Sequence, residues 1–328
     1  MGNVGWRERR KDEEISCAYR SNGVFVAAGC GGGALSSGGG EDEELYVFLP
    51  KSLDNPYWVD ARKGMKAEAK KLGVKAEFLG PQQADAGKQV EIFENALNRN
   101  PAGIALSAND PETVKATIAQ AKEKDIPVIA WDSEVPDSEV LAYVGTDNVA
   151  AGEQAAEALA KTMNEKGKVG VLAGSVTALN ARQRLDGLKE GLKQYPDIEI
   201  VTTETTGESV SGATSKAENL LQAQSDIDAL FGVTGADAPG AALAVKQAGK
   251  CGDIQVAGFD VVPQGQELMK EGCIQALISQ KPYGMTRQAL EMLHSLNKGE
   301  EVKQESVDTG VITVTEDSLD KFLKDAPH

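Results

Sequence analysis

Histidine is nearly absent from this chain of 328 residues, which contains only His294 and His328. A His-based catalytic triad or a His-ligated metal site therefore has almost nothing from which to be built. Aromatic residues make up 5% of the sequence, and 50 acidic residues outnumber 34 basic ones, which gives a formal net charge of −16. Such a surface argues against nucleic acid as a partner and favours solubility. No stretch reaches the roughly 20 apolar residues that a membrane-spanning helix requires.

The chain has four cysteines, at positions 17, 30, 251 and 273. None belongs to a CxxC pair, so their spacing argues against a zinc site. Cys251 comes just before a predicted strand at 254–259, and Cys273 comes just before one at 274–279. If these strands are neighbours, both sulfurs lie at the same edge of one sheet and a disulfide is geometrically feasible. Two unlinked buried thiols are the alternative, and the disulfide would require an oxidising compartment.

The first 44 residues differ in composition from the rest of the chain. Basic residues cluster at 7–11, a short apolar run covers 23–29, and Ala27-Ala28-Gly29-Cys30 resembles a bacterial lipobox. We expect residues 1–30 to be a signal segment, with Cys30 as the lipidated first residue of the mature chain. Residues 31–44 then form a flexible Gly/Ser tether with an acidic end. Acidic residues at 12–14 are atypical of a signal, and a misassigned start codon or a disordered leader would explain them.

From Leu45 onwards, strand-like and helix-like segments alternate at the spacing of a doubly wound α/β fold. The first strand-like segment, Leu45–Leu49, has no polar face, which is typical of a strand covered on both sides of a parallel sheet. Predicted strands cover 45–49, 74–79, 103–107, 127–131, 169–173, 198–202, 227–231, 254–259 and 274–279. Predicted helices cover 59–72, 84–99, 111–124, 150–164, 181–194, 213–224, 239–248 and 263–271. The pattern repeats after about residue 147, which predicts two similar lobes with a cleft between them.

An Asn-Pro turn follows the first strand and precedes the first helix. Such a turn lies at the carboxyl end of a sheet, where open α/β proteins bind ligands. The amide of Asn55 beside the flat faces of Tyr57 and Trp58 suits a ligand with hydroxyls at its edge and C–H bonds on its face, such as a sugar. The alternative interpretation is that the two aromatic residues close the core over the first helix.

From Leu45 to the C terminus, the chain resembles the type I periplasmic sugar-binding proteins, the ribose- and galactose-binding class of solute receptors for ABC importers. Six segments in the expected order carry the resemblance: DNPYW (54–58), PVIAWDS (127–133), GTDN (145–148), NARQRLDG (180–187), VAGFD (256–260) and ISQKP (278–282). The resemblance implies two Rossmann-like doubly wound lobes joined by a three-segment hinge, with crossovers near Asp147, Lys281 and Gly310. The N-terminal lobe would comprise 45–147 and 281–309, including a helix at 285–296, and the C-terminal lobe 148–280 and 310–328.

The resemblance also implies a set of ligand residues. Asn55, Tyr57 and Trp58 match the family's Asn-Pro-aromatic-aromatic motif. The other matching positions are polar: Asp132 after the fourth strand, Asn180 and Arg184 on one helical face, Asp260 after Gly-Phe, and Gln280 at the second crossover. Asp147 is interpreted as a hinge residue and Trp131 as a core residue.

Two positions depart from the family's pattern. Ser133 stands where ribose-like members carry an Arg, and Thr234 stands where many members carry an Asn. We therefore expect Asp237, three residues further on, to point at the ligand instead. Because polar contacts set the choice among sugars, these departures leave the particular sugar open.

The resemblance implies a non-enzymatic, monomeric binding protein that needs no cofactor and no metal. It would capture a monosaccharide or a related polyol outside the cytoplasm and deliver it to an ABC transporter permease, held at a bacterial membrane only by a lipid anchor. One alternative is a sugar-sensing partner of a chemoreceptor or sensor kinase. Others are the ligand-binding core of a repressor, for which a basic helix-turn-helix is missing, and a glycosidase that uses Asp132 and Asp260 as paired carboxylates.

Overall fold

Short apolar runs form the central strands of two sheets, because helices cover both faces of each sheet. The computed structural model describes residues 44–325. Its strands are β1 (Leu45–Leu49), β2 (Lys75–Phe78), β3 (Gly103–Leu106), β4 (Val128–Trp131), β5 (Tyr143–Gly145), β6 (Gly167–Ala173), β7 (Ile198–Thr205), β8 (Ala229–Gly232), β9 (Gln255–Phe259), β10 (Ala276–Ser279), β11 (Ser306–Asp308) and β12 (Ile312–Val314). Its helices are α1 (Trp58–Leu72), α2 (Ala86–Leu97), α3 (Pro111–Glu123), α4 (Asn148–Thr162), α5 (Leu179–Leu192), α6 (Val210–Ala223), α7 (Asp237–Gln247), α8 (Pro263–Lys270), α9 (Pro282–Asn297) and α10 (Glu316–Asp325).

The two sheets have matching topologies. The first has the strand order β11-β5-β4-β3-β1-β2, and the second has the order β12-β10-β9-β8-β6-β7. The strand pairs are parallel except for β10 and β12, which are antiparallel. In each sheet the strand order reverses beside the first strand of the lobe, so the loops at the carboxyl ends of the strands open into a crevice there.

The chain passes between the sheets three times, at 146–147, 280–281 and 309–311. As a result, β11 completes the first sheet and β12 completes the second. Helix α9 returns to the first lobe and packs closely on α1, where a Cβ atom on Gly64 would lie 2.2 Å from the carbonyl oxygen of Tyr283. The predicted fold, two doubly wound lobes joined by a three-segment hinge, is confirmed.

Several elements differ from the predicted ones in extent. Helix α7 begins at Asp237 and not at Pro239, because proline is tolerated throughout the first turn of a helix. Helix α6 begins at Val210, three residues earlier than predicted, because the Ser209 hydroxyl caps it by accepting a hydrogen bond from the N–H of Gly212. The sequence analysis missed α10 and the three-residue strands β5, β11 and β12. Trp131 is fully buried against the edges of other aromatic rings, which confirms it as a core residue.

Cys251 and Cys273 form a disulfide in the structure. The strands that follow them, β9 and β10, are parallel neighbours, so both sulfurs lie at the amino edge of the second sheet. This edge is at the opposite end of β9 from Asp260. The other two cysteines, including the lipobox-like Cys30, lie outside the described residues, as does the predicted tether before Glu44. Within residues 44–325, no helix is both long enough and apolar enough to cross a membrane.

Loss of the Cys251–Cys273 bond should lower the free energy of unfolding by about 3 kcal/mol, because the bond closes a loop across a sequence separation of 22 residues. Denaturant titrations of the oxidised protein, the reduced protein and a Cys251→Ser/Cys273→Ser variant measure this. Ligand affinity should not change, since the bond is at the other end of the sheet from the crevice. An unchanged unfolding midpoint after reduction verified by a thiol assay would contradict the prediction.

Candidate functional site

Two predicted acceptors lie where the carboxyl ends of strands from both lobes face each other. Asp132 follows β4 in the first lobe and Asp260 follows β9 in the second, and their exposed fractions are 2% and 5%. Both have a left-handed backbone, with φ of 62° and 69°. Non-glycine residues adopt this conformation at a cost, typically where the surrounding structure holds a functional side chain in place.

The Asp132 carboxylate takes part in a hydrogen bond that spans the cleft. Within its own lobe, the Ser107 hydroxyl donates to Asp132 Oδ2 at 2.7 Å. From the second lobe, the Asn180 amide donates to the same oxygen at 3.2 Å. Asn180 lies in the first turn of α5, so this contact fixes the helix against the first lobe.

The Asp260 carboxylate is connected to the hinge. The Gln280 amide in the second crossover donates to Asp260 Oδ1 at 3.1 Å. The hydroxyl of Thr146 in the first crossover donates to Gln280 Oε1 at 3.0 Å. Asp147 caps α4 by accepting from the N–H of Ala150 at 3.0 Å, and its own N–H donates to Asp308 at 3.1 Å. The three crossovers and the second-lobe acceptor therefore form one hydrogen-bonded unit.

Arg184 supplies a cation whose donors are only partly used. The side chain is buried, and its guanidinium stacks on the Phe259 ring at 4.5 Å from the centroid. Nε donates to Asn148 Oδ1 at 2.8 Å, and Nη1 donates to the Val233 carbonyl at 3.2 Å. Nη2 is buried with no hydrogen-bond partner among the described residues. Since buried donors are nearly always satisfied, this nitrogen indicates a ligand position.

The aromatic pair connects the core of the first lobe to the cleft. Asn55 Oδ1 accepts from the N–H of Tyr57 at 3.0 Å, which closes the turn after β1. Trp58 packs edge-to-face on Trp131 at a centroid distance of 5.3 Å, and Tyr57 packs on Trp58 at 4.8 Å. Tyr57 also reaches the second lobe, because a Cβ atom on Gly235 would lie 3.2 Å from Tyr57 Cβ. Trp58 thus packs on the core of the first lobe, and Tyr57 lies at the lobe boundary.

Burial dominates the electrostatics of the cleft. Burial raises the pKa of Asp260 to about 6, although the charge of Arg184 and the hydrogen bond from Gln280 oppose the shift. Burial, followed by the charges of Asp132 and Asp260, raises the pKa of the Tyr57 phenol well above its ordinary value. The phenol therefore stays protonated at neutral pH and can donate a hydrogen bond.

Asp237, which the sequence analysis predicts to point at the ligand, is engaged by hydroxyls of its own lobe. Its carboxylate accepts from the Thr206 hydroxyl at 2.5 Å and from both the N–H and the hydroxyl of Thr234 at 2.9 Å. The residue is fully buried, and burial raises its pKa to about 7. Asp237 is the first residue of α7. Its hydrogen bonds with Thr206 and Thr234 therefore tie the start of α7 to two loops of the second lobe. Both carboxylate oxygens of Asp237 thus accept hydrogen bonds within the second lobe.

The family model for the periplasmic binding protein domain matches residues 46–301 of this sequence. The chain belongs to this family. It is therefore an extracytoplasmic binding protein and not an enzyme. The predicted family and function class are confirmed by this match.

Relatives and solved structures agree with the match. The D-allose-binding periplasmic protein of Escherichia coli K12 is 30% identical over 78% of this chain and 86% of its own length. An ABC transporter solute-binding protein from Burkholderia graminis, solved with D-arabinose, is 33% identical with a TM-score of 0.80, covering 84% of this chain and 96% of its own. A structure of the XylFII-LytSN complex contains a chain that is 28% identical with a TM-score of 0.79, covering 84% of this chain and 98% of its own.

The sequence analysis missed two charged residues of the binding protein's cleft. Lys51, just after β1, is 3% exposed, and its Nζ donates to Asn180 Oδ1 of the second lobe at 2.9 Å. The same nitrogen lies 3.6 Å from Asp132 Oδ2 and 3.7 Å from Oε1 of Glu208, which is 2% exposed. The available signal for Lys51 was its place two residues after the fully apolar strand β1, at the edge where ligands bind. Lysine is almost never buried without a partner, so a lysine at this edge suggests a nearby acceptor.

Further contacts join the lobes along the cleft. The Thr177 hydroxyl donates to the Asn109 carbonyl at 3.2 Å, and the Gln183 amide donates to Glu134 Oε2 at 3.3 Å. Because the site residues are buried while the lobes are held together, a ligand can reach them only when the lobes separate.

The raised pKa of Asp260 predicts that the ligand-free protein loses stability as the pH rises from about 4 to about 6. In this window the native state still holds a proton that the unfolded state has released, so unfolding becomes easier as the pH increases. Asp260→Asn should remove this contribution and make the decline shallower, leaving the part due to Asp237, as measured by denaturant unfolding across the window. Asp320→Asn, at a side chain that is 91% exposed, is the matched control. Equal slopes for wild type and Asp260→Asn would refute the prediction.

Proposed function

We propose that this protein captures a monosaccharide or a related polyol between its two lobes and delivers it to an ABC importer. The observation that carries the proposal is the arrangement of buried charge in the cleft. Carboxylates of Asp132 and Asp260 come from opposite lobes, and an Arg184 nitrogen that has no partner within residues 44–325 is buried with them. A ligand that both donates and accepts at several points, as a sugar does, complements such a set.

The proposed ligand contacts follow from this arrangement. The carboxylates accept from sugar hydroxyls, Arg184 and the amides donate, and Tyr57 contributes an apolar face. The full proposed set is Asn55, Tyr57, Trp58, Asp132, Asn180, Arg184, Asp260 and Gln280, with Asp237 behind it and Asp147 in the hinge. Each charge-assisted hydrogen bond contributes roughly 1.5–3 kcal/mol. A wrong epimer leaves a buried partner unpaired, which makes such a site selective.

Ligand binding would stabilise the closed arrangement of the lobes. Asp132 belongs to one lobe and Asp260 to the other, so only the closed state offers both acceptors to one ligand. The ligand therefore binds the closed state more tightly than the open one, which is the condition for ligand-driven closure. The closed form is the state that we propose the permease recognises.

The named ligands of the relatives favour an aldose. D-allose and D-arabinose, which two of the relatives bind, are a hexose and a pentose with unmodified hydroxyls. We therefore propose an aldohexose or aldopentose before a polyol or a ketose.

A thermal-shift screen of pentoses, hexoses, deoxysugars and polyols should identify the ligand. A ligand at 100 times its dissociation constant adds about 2.7 kcal/mol to the free energy of unfolding, which raises the Tm by several degrees. Asp260→Asn and Arg184→Ala should abolish the shift, and Arg182→Ala, at an exposed position on the same helix, should not. A folded, ligand-free protein that responds to no sugar would refute the proposal.

A sensory role is the second candidate, because the XylFII-LytSN structure contains a chain of similar fold. Here the closed protein would dock on a membrane receptor and not only on a permease. Deleting the gene separates the two roles. Loss of sugar uptake indicates transport, whereas loss of a sugar-induced transcriptional or chemotactic response with unchanged uptake indicates sensing.

We also propose that the protein acts as a monomer held at the membrane by a lipid on Cys30. The support is the basic residues at 7–11, the apolar run at 23–29 and the lipobox-like Ala27-Ala28-Gly29-Cys30. A single acyl signal gives weak attachment and two chains give a stable one. Cys30→Ser should move the protein from the membrane fraction to the soluble fraction of expressing cells. Equal distribution of the two forms would count against the anchor.

A further inference from the structure

Glu208 shares a backbone signature with the two acceptors of the proposed site. Eight non-glycine residues in the described part of the chain have a positive φ. Five of them are exposed: Asn100, Asp125, Asp137, Asn164 and Glu165. The three buried ones are all carboxylates beyond the carboxyl ends of strands, namely Asp132, Asp260 and Glu208, whose φ is 57°. The strained conformation thus places Glu208 together with the cleft acceptors and apart from the surface turns.

The surroundings of Glu208 hold its side chain in place without using all of its acceptors. The N–H of Glu208 donates to the Gly174 carbonyl at 3.1 Å. The absence of a side chain on Gly174 admits Glu208, because a Cβ atom there would lie 2.7 Å from Glu208 Cγ. Oε1 is buried and has no hydrogen-bond partner among the described residues. A buried carboxylate oxygen without a donor is costly, so a donor from outside the chain would stabilise it.

Lys51 balances the charge of Glu208 from the opposite lobe. Its Nζ lies 3.7 Å from Glu208 Oε1 and donates a hydrogen bond to Asn180 Oδ1 at 2.9 Å. At 3.7 Å the pair is an electrostatic contact and not a hydrogen bond. The ammonium therefore compensates the buried charge while the oxygen keeps its capacity to accept.

We propose that Glu208 is a third ligand acceptor, which takes a hydrogen bond from a hydroxyl of the bound sugar while Lys51 neutralises its charge. This inference rests on the proposed function. It specifies the ligand further, because in the described part of the chain these three carboxylates outnumber the buried cations, Lys51 and Arg184. The cleft favours a neutral sugar with a hydroxyl directed at Glu208, and it disfavours sugar acids and sugar phosphates.

Calorimetry with the sugar found in the screen and its monodeoxy analogues tests the inference. Glu208→Gln should weaken binding of the parent sugar by about ten- to a hundredfold, as expected for loss of a charge-assisted hydrogen bond. Glu204→Gln is the matched control, because Glu204 lies on β7, which precedes Glu208, and forms a half-buried ion pair with Lys216; it should change affinity less than twofold. One monodeoxy analogue should bind wild type and Glu208→Gln equally, because it lacks the hydroxyl that Glu208 accepts.

Two results would overturn the inference. Unchanged affinity in Glu208→Gln, with Asp260→Asn inactive, would remove Glu208 from the site and leave the proposed function standing. An equal loss for the parent sugar and every analogue would show that Glu208 acts only as an interlobe ion pair with Lys51. If wild type binds no sugar at all, the proposed function itself fails.

A second variant guards against misfolding of the first. Glu208→Gly suits the left-handed backbone, so its Tm without ligand should not fall below that of wild type, while its affinity for the parent sugar should fall as in Glu208→Gln. A lower Tm combined with unchanged affinity would assign Glu208 a structural role and overturn the inference.

Discussion

The cost of burying carboxylates between the two lobes shapes this molecule. Asp132, Asp260 and Glu208 are nearly inaccessible to solvent, and a carboxylate removed from water must find a partner or take up a proton. Across the cleft, Asn180 donates a hydrogen bond to Asp132, and the ammonium of Lys51 lies near Glu208. Asp260 instead accepts from Gln280 in the hinge and is stabilised by the charge of Arg184. The closed arrangement is thus held by the same groups that we propose bind the ligand, so ligand selectivity and lobe closure depend on one set of contacts.

The hinge is part of this set and not a passive linker. The Gln280 amide donates to Asp260, and its oxygen accepts from the hydroxyl of Thr146. Asp260 is thus linked through Gln280, in the second crossover, to the first crossover as well. Asp147 joins the first crossover to the third through Asp308. A change in the angle between the lobes must therefore disturb the position of Asp260. This coupling is a physical basis for transmitting ligand occupancy to the surface that a permease or a receptor recognises.

The parts of the fold that sequence analysis predicted are those with a local signal. Leu45–Leu49 is apolar on both faces, and the Asn55-Pro56 turn stops the strand and begins a helix. The segments β11 and β12 were missed because each gains its stability from a neighbouring strand that is distant in sequence. Among the candidate site residues, Asp237 illustrates the same limit. Its place beyond a strand suggested a ligand contact, but nothing in the sequence indicated that the hydroxyls of Thr206 and Thr234 donate to its carboxylate.

The amino-acid sequence by itself determined the alternation of strands and helices, the family, and the loops that face the cleft, because parallel strands deliver their following residues to one edge of a sheet. Only the tertiary structure decided which side chains in those loops keep free acceptors or donors. Lys51 and Asn180 are 129 residues apart, and their contact exists only because the hinge closes one lobe on the other. The disulfide likewise required β9 and β10 to be neighbours. Such pairings depend on the distance between side chains in space, which no local pattern of residues encodes.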